Sequence, residues 1–119
     1  MSFKTVVITL LLTLNLFAKE RVVSLSPSIT EILFALNKGE DIVATSEFSL
    51  YPNEATALPK IGSYTNPNIE KIISYEPTLV IGQEFHKKSL QESKRFGIKS
   101  IELNLKTVEA IRESINKLS

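Results

Sequence analysis

The chain has 119 residues, a formal net charge of +1 and a hydrophobic share of 43%, the composition of one soluble globular unit rather than of a disordered or fibrous chain. No run of Lys or Arg forms a basic block, so nucleic-acid binding and attachment to an acidic membrane surface find no support. There is no cysteine, which leaves a packed core rather than disulfides to hold the fold.

Residues 1–18, MSFKTVVITLLLTLNLFA, place Lys4 ahead of an apolar run from Val6 to Leu14 and end on Ala18 before Lys19-Glu20. This is the layout of a secretory signal peptide cleaved after Ala18, although Leu16 stands where a small residue is preferred. The alternative is an uncleaved anchor, for which the run is shorter than the roughly 20 apolar residues a spanning helix needs. Without a cysteine at the junction there is no lipoprotein attachment site.

Beyond the signal, short β-branched runs predict strands at Arg21–Leu25, Asp41–Thr45, Thr78–Gly82 and Lys99–Leu103. Helical stripes fall between them. Ile29, Ile32, Leu33 and Leu36 recur at helical spacing behind a Ser28/Glu31 capping box, and Gly39 is the expected stop. Asn66 as N-cap with Pro67 at the first helical position opens a second helix, with Ile69, Ile72 and Ile73 as its buried face and Pro77 as its end. A third is expected over Lys87–Phe96, stopped by Gly97. A fourth starts at Thr107 and carries Val108, Ile111, Ile115 and Leu118.

Strands alternating with helices at this spacing require crossovers between parallel neighbours. The expected fold is therefore α/β, a parallel sheet with helices on both faces. The one long irregular segment is Ser46–Thr65, which holds Phe48, Tyr51 and Tyr64. Loops of this length in compact domains are more often functional than idle. Ligands of open α/β sheets lie beyond the carboxyl ends of the strands. Candidate segments are Ser26-Pro27-Ser28, with Ser26 as a possible ligand contact, the long loop, and Gln83–Lys88.

The chemistry of an enzyme is missing. There is one histidine, no cysteine, no Gly-x-Ser-x-Gly elbow and no phosphate-binding glycine loop after the first strand, so the chain is read as non-enzymatic with no cofactor and no metal site. His86 stands near Glu84, but one imidazole and one carboxylate do not make a metal site without distant partners. It is expected to be a solvent-facing loop histidine, the alternative being a contact with a metal or an anionic ligand. Phe48, Tyr51 and Tyr64 either anchor the loop or offer a ligand broad apolar area with hydroxyls for hydrogen bonding. Glu70 has two readings as well: a first-turn acid favoured by the helix dipole, worth only about 0.3–1 kcal/mol, or a docking charge.

Four stretches in order, RVVSLSPSITEILFAL, DIVATSEF followed by YP, LPKIGSYTNPNIEKIISYEPTLVIG and FGIKSIEL, resemble the amino-terminal lobe of periplasmic substrate-binding proteins of ABC importers. The subgroup most similar is the one for vitamin B12, haem and iron siderophores. The resemblance covers residues 21–119. It implies one lobe of a two-lobe, helix-linked protein of well over twice this length, so that 19–119 is expected to be an amino-terminal lobe without its partner. It further implies a periplasmic location, a small metal chelate as ligand (cobalamin, haem or a ferric siderophore) and an inner-membrane ABC permease as partner. In that family an acid in an Asn-hydrophobic-Glu-x-Ile motif docks on permease arginines, and Asn68-Ile69-Glu70-Lys71-Ile72 matches it position by position. An aromatic residue of the cobalamin-binding member holds the place of Tyr64, and Phe48 and Tyr51 fall in the loop lining the cleft. The alternative is a lobe-only interaction protein that docks on the permease without delivering ligand.

Overall fold

The computed structural model describes residues 19–106, 112–113 and 116–118. The expected signal peptide and the expected start of the fourth helix, with Val108, Ile111 and Ile115, lie outside the described residues. Four strands, β1 (Val22–Ser24), β2 (Ile42–Thr45), β3 (Leu79–Gln83) and β4 (Lys99–Leu103), form one sheet in the order β2-β1-β3-β4. Every pairing is parallel. Three helices connect them: α1 (Pro27–Ala35), α2 (Ile69–Ser74) and α3 (Lys87–Arg95).

The period of two along each strand sorts the core into two layers. Ile29 and Leu33 of α1 pack with Val22, Ile42, Ile81 and Leu103 on one face, where Leu118 also rests. Ile72 of α2 and Leu90 of α3 pack with Val23, Ala44 and Val80 on the other. Helices therefore cover both faces, as expected. Among the described residues no helix is long and apolar enough to cross a membrane.

The helix ends differ from expectation in informative ways. Ser26, not Ser28, caps α1: its hydroxyl accepts from the Ile29 amide at 3.3 Å, and Pro27 takes the first helical position, where its missing N–H is no loss. Gly39 does not stop this helix. Asn37, at φ 60°, closes it two residues earlier, with the Lys38 amide on the Leu33 carbonyl and the Asn37 amide on the Phe34 carbonyl. Gly39 has another use, since a Cβ there would lie 2.2 Å from the Phe34 ring. For α2 the cap is Asn68 rather than Asn66, its Oδ1 accepting from the Lys71 amide at 3.0 Å. Asn66 and Pro67 instead belong to a turn that bridges back to Gly62. Ahead of Pro77, Glu76 closes the helix in a left-handed conformation at φ 49°, its amide donating to the Ile73 carbonyl at 2.9 Å. The Arg21 guanidinium then donates to the carbonyls of Tyr75 and Glu76, satisfying the end of α2. Gly97, at φ 77°, stops α3 as expected.

Strand order places a topological switch between β1 and β3, because the chain leaves β1 toward β2 and returns on its other side. The crevice above such a point is where ligands of open α/β sheets bind. Leu25 extends the β1/β3 pairing to this crevice by donating to the Ile81 carbonyl at 3.0 Å.

Candidate functional site

A buried cluster of hydroxyls supports the crevice from below. Thr30 Oγ1 lies 2.8 Å from Ser24 Oγ and 2.6 Å from Thr45 Oγ1, while Thr45 donates to Ser49 Oγ at 2.9 Å and Ser46 Oγ lies 3.1 Å from the same atom. The pairing of β1 with β2 slips by one residue, from Val22 opposite Ile42 to Val23 opposite Ala44, and this bulge turns Thr45 to the side of Ser24 and α1. Sequence reading missed the cluster, because serines and threonines around a loop suggest solvent. Its role is to hold the start of the long loop: a buried hydroxyl left without a partner costs about 1–3 kcal/mol, and no buried side-chain polar atom among the described residues lacks one.

Ser26 belongs to this floor rather than to a ligand surface. It is buried, its hydroxyl is spent on the α1 cap, and its carbonyl accepts from both Ser24 and Thr30. The hydroxyl expected to meet a ligand is thus turned to the helix cap in this structure.

The loop above is tied at several points. Beyond β2, the Thr45 amide donates to the Pro59 carbonyl and the Ile61 amide to the Thr45 carbonyl, both at 2.9 Å, so the far end of the loop runs beside the strand that began it. Lys60 Nζ reaches inward to the carbonyls of Ala55 at 2.9 Å and Ser49 at 3.4 Å, and burial lowers its pKa from the ordinary 10.5. The Glu47 amide donates to the Gly62 carbonyl at 2.8 Å, joining the stretch that carries Phe48 to the turn that carries Tyr64.

These ties leave the aromatic side chains outward. Phe48 and Tyr51 are 74% and 71% exposed, and Phe48 holds a left-handed backbone at φ 64°, which is uncommon for a bulky residue. Their rings therefore do not anchor the loop, which leaves the surface reading of the two. Tyr64 is 45% exposed and meets the ring of Phe85 edge to face, with centroids 6.0 Å apart. Phe85, 52% exposed, was not singled out from the sequence, although it lies in the Gln83–Lys88 segment where a ligand surface was sought.

His86 corrects the expectation of a solvent-facing residue: it is 2% exposed. The Gln83 amide donates to Nδ1 at 2.8 Å, so the ring is the Nε2–H tautomer, and Nε2 donates to the Tyr64 carbonyl. The ring fits because Gly82 leaves room; a Cβ there would lie 2.9 Å from His86 Cβ and 3.1 Å from Nδ1. Burial is the larger influence on the imidazole and lowers its pKa from the ordinary 6.5, while the bond to Tyr64 acts the other way. Since the folded chain holds the neutral ring and the unfolded chain protonates near 6.5, the stability this ring contributes is complete above that value and is lost as pH falls through the lower folded pKa. Urea unfolding across this range should show stability declining toward acid in the wild type and a flatter profile in His86→Gln; parallel profiles would contradict the assignment.

Glu70 stands exposed in the first turn of α2, next to the Asn68 cap. Among the described residues no group of three or more His, Cys, Asp or Glu side chains could hold a metal ion.

A parallel α/β sheet that gathers exposed aromatics above its topological switch is the architecture of a binding lobe. The chain belongs to the periplasmic binding protein family, whose match spans residues 22–118. It is 38% identical over 102 residues to the vitamin B12-binding protein of Vibrio vulnificus strain CMCP6, covering 84% of this chain and 37% of that one. Among solved structures, the periplasmic vitamin B12 binding protein BtuF of Vibrio cholerae superposes with a TM-score of 0.77 at 34% identity, over 84% of this chain and 40% of BtuF. The periplasmic heme-binding protein RhuT from Roseiflexus sp. RS-1 superposes at 0.67 with 38% identity, over 71% of this chain and 34% of RhuT. The chain thus spans little more than a third of the length of the curated relatives it matches.

Proposed function

We propose that residues 19–119 act as the amino-terminal lobe of the exported, periplasmic substrate-binding component of an ABC importer, capturing a cobalamin, haem or ferric siderophore complex and docking on the inner-membrane permease. The observation that carries this reading is the exposed aromatic group, Phe48, Tyr51, Tyr64 and Phe85, above the switch point of a lobe whose relatives are named for vitamin B12 and heme. Flat conjugated or corrin-like ligands suit such a surface, because aromatic side chains offer large contact area at small entropic cost. Phe48, Tyr51 and Tyr64 are the proposed ligand contacts, with Phe85 added from the structure. Equilibrium dialysis of the chain against cyanocobalamin, haem and a ferric hydroxamate siderophore tests capture: saturable one-to-one uptake of one of them supports it, and uptake of none contradicts it.

Glu70 is the proposed docking acid. It is exposed and stands on a helix start fixed by Asn68, which suits a charge that sets register and speeds encounter more than it supplies affinity. Glu70→Ala should change unfolding stability by no more than about 0.3–1 kcal/mol, the worth of a first-turn acid, leave chelate binding unchanged, and weaken association with the permease in nanodiscs. Unchanged association together with a larger loss of stability would return Glu70 to a capping role.

A further inference from the structure

We propose that His86 is the positioning residue of the aromatic face: by bridging the Gln83 amide and the Tyr64 carbonyl it fixes the Tyr64 ring against Phe85, and a second ring proton undoes the bridge. The inference deepens the ligand-capture reading and rests on it only for the binding arm of its test. Three features are built around one ring. Gly82 supplies the space, with a virtual Cβ 2.9 Å from His86 Cβ; the Gln83 amide fixes Nδ1 as an acceptor; and the Tyr64 carbonyl receives the Nε2 proton. The turn bearing Tyr64 is also held by the Asn66 amide on Ser63, the Asn68 amide on the Ile61 carbonyl and the Glu47 amide on the Gly62 carbonyl, none of which reaches β3. The His86 bond crosses from there to the end of β3, a different element. Phe85 is the neighbour of His86 in sequence, its ring centroid 4.3 Å from the imidazole, so the ring that anchors Tyr64 also stands beside the ring Tyr64 meets.

Protonation occurs at Nδ1, the atom that accepts from Gln83. The added N–H then faces another N–H, the acceptor role is gone, and the ring must turn away from one partner or both. Leu25, which follows β1 and whose Cδ1 borders the same space at Gly82, is apolar, and the Tyr64 turn meets the ring through a neutral backbone carbonyl. On the segment of His86 itself stand Glu84, paired with Lys106 at 3.0 Å, and Lys87 and Lys88 at the start of α3. Acid therefore loosens the aromatic face at the point where Tyr64 joins the sheet.

His86 is the single histidine of the chain, so its ring nitrogens are identified in the nitrogen NMR spectrum of histidine-labelled protein without mutation. The ligand-free chain should show the Nε2–H tautomer near neutral pH and a midpoint below 6.5, with the Tyr64 and Phe85 ring resonances shifting at that same midpoint. An Nδ1–H tautomer, or a titration that leaves both rings unmoved, overturns the proposal whatever the ligand is. The binding arm uses cyanocobalamin. His86→Gln retains a donor for the Tyr64 carbonyl and does not titrate, so its affinity should stay within about twofold of wild type at neutral pH and lose its acid dependence, whereas His86→Asn retains only an acceptor for Gln83 and should bind about tenfold more weakly. Equal weakening in both variants with acid dependence intact reduces His86 to a core residue. Failure of the wild type to bind cyanocobalamin counts against the choice of ligand, and the ligand-free spectra still decide the role of His86.

Discussion

Gly82→Ala should destabilise the chain by about 1–3 kcal/mol, the usual cost of adding a methyl group to a filled interior, and should disturb the aromatic face at the same time. The new Cβ would lie 2.9 Å from His86 Cβ, 3.0 Å from Leu25 Cδ1 and 3.1 Å from His86 Nδ1. The Leu25 methyl is the end of a flexible side chain and can give. His86 cannot give in the same way, because Gln83 holds one ring nitrogen and Tyr64 the other. Relief therefore comes from breaking one of those bonds or from moving the end of β3, where Gly82 and Gln83 pair with Glu102 and Leu103 of β4. Urea unfolding reads the first effect, and the Tyr64 and Phe85 ring resonances read the second. A variant as stable as wild type, with unshifted rings, would show that the crevice has room the geometry denies it.

The second large effect concerns affinity. Replacing Phe48, Tyr51 and Tyr64 together with alanine should lower chelate binding on the order of 100-fold or more, since central aromatic contacts carry a disproportionate share of binding energy. Stability should change little for the first two, because their side chains are largely in solvent and surface substitutions fall within about 0.5 kcal/mol. Tyr64 is held through its backbone carbonyl, which alanine keeps, so its substitution removes the ring and leaves the bond from His86 in place. Binding measured by equilibrium dialysis, beside an unfolding curve for the same triple variant, separates the two effects. Retained affinity would remove these aromatics from the ligand surface.

Much of the fold was legible because its signals are local. The runs that became β1, β2 and β3 are rich in β-branched residues and largely buried, β4 is more exposed, and the bounds of all four strands match the sequence reading to within one residue. Helix ends were legible only as a choice among neighbours. Ser26 and Ser28 are both good caps, and Ser26 wins because Pro27 suits the first helical position; Asn68 displaces Asn66 because the latter is used in the turn that bridges Gly62 to Pro67. Gly39 looked like a stop, yet Asn37 tolerates the left-handed conformation and Gly39 is needed where Phe34 lies over the backbone.

The site was less legible, since its decisive contacts join distant segments. The burial of His86 depends on a gap at Gly82 and a carbonyl 22 residues away. The hydroxyl cluster depends on a bulge in β2 that no hydrophobic pattern announces. Phe85 becomes a candidate only when the Tyr64 turn is seen above it. The exposed aromatics of the long loop were visible as residue types, but whether they faced inward or outward depended on the ties made by the Glu47 and Ile61 amides and the Lys60 side chain.

The chain contains three tyrosines, and their placement provides an internal control. Tyr51 and Tyr64 lie in the long loop after β2, on the proposed ligand surface, whereas Tyr75 caps the far end of α2, its carbonyl bonded to Arg21 just ahead of β1. Titration of tyrosine-ring-labelled protein with cyanocobalamin, and separately with haem, should shift the ring resonances of Tyr51 and Tyr64 while leaving those of Tyr75 in place. Saturable binding that moves Tyr75 and spares the other two would contradict the assignment of the ligand surface.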